Sequence, residues 1–272
     1  MSSLVVNFNA EAANAVLNLD STNTQLSQAI QQLSSGLAVQ YSYQGPASWS
    51  ISQFLQYQNA GDTQGVANAT QGVSVLNIAS GAINQIAGIL DQMEQLATSS
   101  ANSGAMTSTQ QAANNTQFQA LISEINTIVS NTTYGTQGLL SGAYASETFQ
   151  VGFQSSNTFS VTISNSTASA LGVSGTISTS AGASAAITSV KTALNNISSI
   201  GSKIGSGQVQ LQAFVQDLQT MSTNVQAANS SVVDVNMAQE MTQFTTDQIL
   251  LQSGLSMLGQ AQANPTLVLK LL

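Results

Sequence analysis

The sequence predicts a mainly α-helical protein, a long antiparallel coiled-coil helical bundle that carries one small β-hairpin. Two observations lead to this prediction. Apolar residues recur alternately every three and four positions over most of the chain, which is the spacing of one face of a coiled-coil helix. One segment near the middle changes to strict alternation of apolar and polar residues, which is the spacing of a β-strand.

The first helical frame lies near the amino terminus and follows a heptad pattern. Its members are Val16, Leu19, Asn23, Leu26, Ile30, Leu33 and Leu37. Asn23 is the one polar residue among them, and a polar residue in such a seam can fix the register at some cost in stability.

The carboxyl-terminal half contains two more heptad frames, over residues 187–232 and 237–258. The second of these consists of Met237, Met241, Phe244, Gln248, Leu251, Leu255 and Leu258. Shorter helical patterns occupy residues 66–97 and 118–128. Because the first and last frames have the same period, we expect the terminal helices to pair as an antiparallel coiled coil.

The β-hairpin is predicted at about residues 147–165. Phe149, Val151 and Phe153 alternate with polar residues, and Phe159, Val161 and Ile163 do the same after a short polar stretch. Residues 166–186 are rich in Ser, Gly and Ala, which is typical of turns.

Charged residues are scarce in this chain and limit its possible functions. They make up 5% of the 272 residues, against roughly 25% in ordinary soluble domains. The net charge of -8 with three lysines and no arginine argues against binding to nucleic acid, which requires clustered cations. The absence of Cys and His removes thiolate catalysis, zinc sites and histidine acid–base chemistry. We therefore expect neither an enzyme nor a bound cofactor or metal.

The amino-terminal sequence lacks the basic region of a secretory signal and contains Glu11. No uninterrupted apolar run approaches the ~18 residues of a membrane-spanning helix. The sequence thus predicts no cleaved signal peptide and no association with a membrane.

The terminal frames contain more apolar residues than one helix pair can bury. Heptad spacing alone favours helices that pack into a bundle within one chain. Apolar residues also lie outside the heptad positions, however, as at Leu17 and Leu250. The chain moreover ends in the apolar sequence LVLKLL. We therefore predict that neighbouring copies of the chain cover these residues: Val16, Leu19, Leu26, Ile30, Leu33, Leu37, Met241, Phe244, Leu251, Leu255, Leu258, Leu269, Leu271 and Leu272.

Four segments resemble the bacterial flagellins. They are LSSGL at 33–37, ATQGVSVLNIASGAINQI at 69–86, EINTIVSNTTYGTQGLLSG at 124–142 and the whole of 234–272. The last segment is similar to flagellin carboxyl termini nearly position by position. Only the hairpin and turns fit between residues 142 and 186, so the chain resembles a short flagellin without the large outer domains.

The resemblance implies a structural subunit that polymerises through its terminal helices into the extracellular flagellar filament. It implies an inner domain of residues 1–43 and 233–272 and an outer helical bundle of residues 44–232. It further implies export of the unfolded chain through the flagellar channel, with a chaperone, the flagellar cap and hook-associated proteins as partners. Two alternatives remain, a hook–filament junction protein and a coiled-coil binding module that does not polymerise.

The chain departs from the family mainly in charge. Where flagellins usually have an arginine after LSSGL, this chain has Ala38, and Gln44 and Gly45 replace paired acids. With every carboxyl protonated, three lysines and an amino terminus leave a charge of only about +4. We therefore expect a filament that works in an acidic medium, and the alternative is a compositional bias without selection.

Overall fold

The computed structural model describes residues 9–269, and it describes side chains as far as residue 262. The helices are α1 (Ala10–Ser35), α2 (Pro46–Ala101), α3 (Ser108–Asn131), α4 (Ala168–Leu171), α5 (Ser180–Val233) and α6 (Met237–Leu269). The strands are β1 (Thr133–Tyr134), β2 (Gln137–Gly138), β3 (Glu147–Gln150) and β4 (Thr158–Val161). The predicted fold class, a long helical bundle with a small β-hairpin, is confirmed.

The chain divides into two compact units. One, here called the terminal unit, consists of Met1–Gln56 and Val225–Leu272, and the other, the central unit, consists of Tyr57–Asn224. The predicted domain boundaries at residues 43/44 and 232/233 lie inside the terminal unit and stay a prediction.

The central unit contains a continuous hydrophobic core. Helices α2, α3 and α5 bury their apolar faces together, and Leu90, Phe118 and Ile197 are among the most deeply buried side chains. Helix α5 runs antiparallel to α2, as Gly207 against Leu76 and Leu218 against Gly65 show. Helix α3, helix α5 and the β3–β4 hairpin cover α2, so this unit has the closed interior of an ordinary globular domain.

The β3–β4 hairpin packs on helix α2 and on helix α5. Phe149 pairs with Phe159 across the strands, and the ring of Phe159 lies 5.7 Å from the ring of Phe214 on α5. The strands are shorter than the alternating pattern and their pairing ends at Gln150 and Thr158. One more hydrogen bond follows inside the loop, where the Val151 N–H donates to the carbonyl of Asn157 at 2.8 Å. The hairpin is therefore where the sequence predicts it, with a longer loop.

Two local features differ from the sequence expectations. A second, very short hairpin joins β1 to β2 around Gly135, whose φ of 60° suits a tight turn. The segment 166–186 is not turn-like throughout, because it contains α4 and the first turns of α5, which begins at Ser180. Ala183 and Ala186 are buried in the core, so packing stabilises a helix where composition alone favours turns.

Helix α2 also differs from expectation in its hydropathy. By length and composition it is apolar enough to cross a membrane, with a mean hydropathy of 1.5 over an 18-residue window. Uninterrupted apolar runs gave no sign of this property, since Ser, Asn and Gln interrupt the apolar residues of this helix. In the structure 44% of that window is buried, and the core helix of a globular unit has the same properties.

Candidate assembly surface on the terminal helices

Helices α1 and α6 lie antiparallel in the terminal unit, and hydrogen bonds fix both ends of the pair. At one end, the side chain of Asn9 caps α1 by accepting from the Ala12 N–H, and its Nδ2 donates to the carbonyl of Ala261 at 2.8 Å. At the other end, α1 stops at Gly36, which adopts a left-handed φ of 74°. The carbonyl of Gly36 accepts from the Val235 N–H at 2.9 Å. The predicted antiparallel pairing of the terminal helices is present.

The two helices meet along a narrow seam with heptad spacing. Its half-buried and buried members on α1 are Ala15, Leu19, Thr22, Leu26, Ala29 and Leu33. Those on α6 are Glu240, Phe244, Asp247, Leu251, Gly254, Leu258 and Ala261. A Cβ on Gly254 would lie 2.7 Å from Leu19 Cδ2, so the Leu19 side chain packs directly on the α6 backbone at this glycine.

The predicted heptad frames are wrong at every second position, where the residue that enters the seam is the one immediately before the predicted residue. Small residues occupy these positions, Ala15, Thr22 and Ala29 on α1, in place of their larger neighbours. Asn23, expected to fix the register, is exposed, whereas the polar residue at the centre of the seam is Asp247. Close approach of the backbones favours small residues, which leaves the large apolar residues on the outer faces.

The predicted interface residues therefore fall into two groups. Leu19, Leu26, Leu33, Leu37, Phe244, Leu251 and Leu258 are half-buried. Val16, Ile30, Met241 and Leu255 are exposed, Val16 by 50% and Leu255 by 56%. The side chain of Leu269, together with Leu271 and Leu272, lies outside the described residues.

Further exposed apolar residues extend this surface beyond the predicted set. Leu17 is 68% exposed, and Ile249, Leu250 and Met257 on α6 are similarly accessible. The adjacent pairs Val16–Leu17 and Leu250–Leu251 were the sequence signal for them, because neighbouring residues on a helix cannot both face one seam. We call the exposed apolar residues of α1 and α6 the outer apolar faces.

The connection from α1 to α2 adds exposed aromatic residues to the terminal unit. The rings of Tyr41 and Tyr43 stack at 5.6 Å with an angle of 7° between their planes, and both side chains are exposed. Gln44 holds this turn by accepting from the backbone N–H groups of Gln40 and Tyr41, at 2.7 and 2.9 Å. The sequence patterns did not single out these tyrosines.

Every charged side chain in the described part of the terminal unit is an acid, namely Glu11, Asp20, Asp234, Glu240 and Asp247. Asp247 is fully buried, and its Oδ1 accepts from Gln243 Nε2 at 3.0 Å. In the described part of the chain no group of three or more His, Cys, Asp or Glu residues could hold a metal ion. The terminal unit therefore offers mainly exposed apolar side chains with few charges, which suits contact with another apolar surface.

Comparison with known proteins identifies the family. The model of the bacterial flagellin N-terminal helical region matches residues 6–145, and that of the C-terminal helical region matches residues 187–272. This chain belongs to the bacterial flagellin family. The two matches leave residues 146–186 between them, which contain the β3–β4 hairpin and α4.

Individual relatives agree with this assignment. The chain is 33% identical over 272 residues to a flagellin of Halalkalibacterium halodurans, covering 99% of this chain and all of that protein. It is 28% identical to a flagellar filament 33 kDa core protein of Treponema phagedenis, again over the full length of that protein. In fold it is similar to the crystal structure of Bacillus cereus flagellin, with a TM-score of 0.52 and 24% identity over 60% of this chain and 94% of the other.

As a short flagellin, the chain is a structural subunit of the extracellular flagellar filament, and such subunits polymerise with copies of themselves. The family is one of structural proteins. The described parts of the segments that indicated this family lie at the end of α1, in α2, from α3 through the β1–β2 hairpin, and in and just before α6.

Proposed function

We propose that this chain polymerises through the outer apolar faces of α1 and α6, so that the terminal unit forms the filament core. The observation that carries the proposal is the distribution of exposed apolar residues. Of the nineteen large hydrophobic side chains that are exposed among the described residues, fourteen lie in the terminal unit. Clusters of this kind mark surfaces that bind another protein.

The energy available from covering these faces is large enough for assembly. Full burial of one Leu, Ile or Met side chain stabilises by roughly 1.5–3 kcal/mol. Several such side chains on each copy offset the loss of translational and rotational freedom on association, about 4–15 kcal/mol. The interface residues predicted from the sequence, including Leu269, Leu271 and Leu272, belong to this proposed surface, with an inner domain of residues 1–43 and 233–272.

The proposal includes a route to the filament that follows from the family. The chain leaves the cell unfolded through the flagellar export channel without a cleaved signal, and a chaperone covers its carboxyl-terminal region beforehand. The flagellar cap and hook-associated proteins then contact the assembled subunits. The scarcity of charge around the outer apolar faces suits their cover by another protein, because burying a charged side chain costs far more than burying a neutral one.

Seeded polymerisation tests the assembly surface. Purified chain would be mixed with filament fragments, and elongation would be followed by light scattering and electron microscopy. We expect Leu17→Gln and Leu250→Gln each to raise the critical concentration at least tenfold, which corresponds to about 1.4 kcal/mol.

The matched control for this experiment is Val209→Gln. Val209 is equally exposed but belongs to the central unit, so its substitution is expected to leave elongation unchanged. Normal elongation of both terminal variants would contradict the proposal. A discrete oligomer in place of tubes would instead favour a coiled-coil binding module.

We further propose that the filament is adapted to an acidic medium. At low pH, carboxylates become protonated while lysines and arginines keep their charge, so an ordinary surface becomes strongly positive and repels itself. The sequence of this chain has three lysines and no arginine. The filament therefore gains little positive charge in acid.

Acid stability of the polymer tests this second proposal. Filaments of the wild-type chain would be moved from pH 7 to pH 3, and the pelletable fraction measured. A variant with lysine at the exposed positions Gln212, Gln216 and Gln219 should assemble normally at pH 7 but lose more polymer at pH 3. Equal losses from both filaments, or rapid depolymerisation of the wild type in acid, would contradict the proposal.

A further inference from the structure

Helix α2 contains a buried carboxylate that the assembly surface does not involve. Asp62 is 0% exposed, and both of its carboxylate oxygens are buried without a hydrogen-bond partner of good geometry. An ionised carboxylate that is buried with no cation beside it is unfavourable, and the Gln58 side chain and the Phe153 backbone N–H offset this only in part. In a chain with so few charges, such a residue calls for a specific explanation.

The cover over Asp62 is the hairpin loop of residues 151–157. A Cβ on Gly61, the preceding residue of α2, would lie 2.4 Å from Phe153 Cβ, and one on Gly65 would lie 2.9 Å from the Gly152 nitrogen. Asn68 Nδ2 donates to the Gln150 carbonyl at 2.9 Å. The loop thus lies directly against the helix backbone on both sides of Asp62, and its displacement would hydrate the carboxylate.

No cation faces Asp62 from the elements packed around it in the described part of the chain. Where α5 passes this site, marked by Leu218 against Gly65, its ionisable residue is Asp217, which is exposed. The hairpin contributes Glu147, at the far end of β3, and α2 itself contributes Tyr57.

The described lysines lie far along α5. Lys203 follows Gly201, which packs against Ile83, so about 20 residues of α2, or roughly 30 Å, separate it from Asp62. Lys191 lies farther along the same helix. Neither lysine compensates the charge of Asp62.

Burial raises the pKa of Asp62 above its ordinary value, which outweighs the lowering by the Gln58 side chain and the Phe153 backbone N–H. A carboxyl group with a raised pKa in the closed structure binds its proton more tightly there than in the open one. The closed structure therefore gains stability as the pH falls through the pKa of Asp62, and loses it as the pH rises.

We propose that Asp62 and the hairpin loop form an acid-operated latch, in which the loop closes on α2 when the carboxyl group is protonated and opens to water when it is ionised. The proton comes from solvent and leaves a neutral carboxyl group that tolerates burial. This inference concerns the central unit alone and does not depend on the assembly surface.

Amide hydrogen exchange in the full-length monomer tests the latch. Protection of residues 149–159 would be measured at pH 4 and pH 7 and corrected for the intrinsic dependence of exchange on pH. In the wild type we expect protection to fall at least tenfold between pH 4 and pH 7. In Asp62→Asn, which keeps the shape but removes the charge, protection should be high and equal at both values.

Asp217→Asn is the matched control, and it should retain the wild-type response because Asp217 is exposed on α5. Equal protection of the wild type at both pH values would overturn the proposal, as would a wild-type response in Asp62→Asn. If Asp62→Asn does not fold, NMR titration of ¹³C-labelled Asp62 in the wild type decides the question. A carboxyl pKa at or below that of an ordinary aspartate would overturn the proposal.

Discussion

The helices of both units carry apolar residues at heptad spacing, but the two units bury very different fractions of these residues. In the central unit, α3 and the β3–β4 hairpin cover the pair α2 and α5, and a continuous core results. In the terminal unit, α1 and α6 cover each other along one seam, and this unit contains three of the buried apolar residues found in the described part of the chain. These three are Ala29, Val225 and Val233. Heptad spacing therefore predicts a helix pair, while the number of covering elements decides whether a closed core forms.

This difference assigns separate functions to the two units. The central unit has enough buried apolar surface to fold as an ordinary domain. The terminal unit leaves its largest apolar residues exposed, and filament assembly would cover them. Substitutions test this difference, and their effects on the free energy of unfolding of the monomer should decrease from the core to the outer apolar faces.

The largest effect is expected in the core of the central unit. Leu90 is 0% exposed, and Leu90→Ala should lower the free energy of unfolding of the monomer by about 3 kcal/mol, since it removes buried methyl groups and leaves a cavity. Urea denaturation followed by circular dichroism measures the change. A loss below about 1 kcal/mol would show that this unit is not tightly packed.

The next effect concerns the contact between the hairpin and α2. Gly61→Ala places a Cβ 2.4 Å from Phe153 Cβ, so the loop must move and the central unit should lose about 1–3 kcal/mol. Gly81→Ala on the same helix is the matched control, because no atom lies within 4 Å of its added Cβ. The control should stabilise by about 0.5–1 kcal/mol through helix propensity, and equal effects of the two substitutions would contradict the docking.

A smaller effect is expected at the start of α3. Thr107 caps this helix by accepting from the Gln110 N–H, and the Gln110 side chain accepts from the Thr107 N–H in return. Thr107→Ala should therefore cost about 1 kcal/mol in the same denaturation experiment. Thr116→Ala, at an exposed position in the middle of α3, should change the stability by less than half as much.

The smallest effect is expected on the outer apolar faces. Leu17→Ala should change the stability of the monomer by less than about 0.5 kcal/mol, since the side chain is mostly exposed before assembly. The same denaturation experiment measures it. A loss above 2 kcal/mol would mean that Leu17 is buried within one chain, and the distinction between the units would fail.

The sequence predicted the fold class, the pairing of the terminal helices and the position of the hairpin, because spacing along the chain determines which residues share a face. It did not predict which of two adjacent residues enters the α1–α6 seam. Ala15 and Val16 are both apolar, and only the structure shows that the smaller Ala15 is half-buried in the seam while Val16 is exposed. Hydropathy gave no signal for the buried Asp62, because its cover comes from a loop about 90 residues further along the chain.

The most direct test of the account is amide hydrogen exchange in the monomer and in the assembled filament. We predict that α1 and α6 gain at least a hundredfold protection on assembly, because neighbouring copies cover them, while the core of α2, α3 and α5 changes little. Equal protection of α1 and α6 in the two states would show that no other copy covers these helices, and would contradict assembly through the terminal unit.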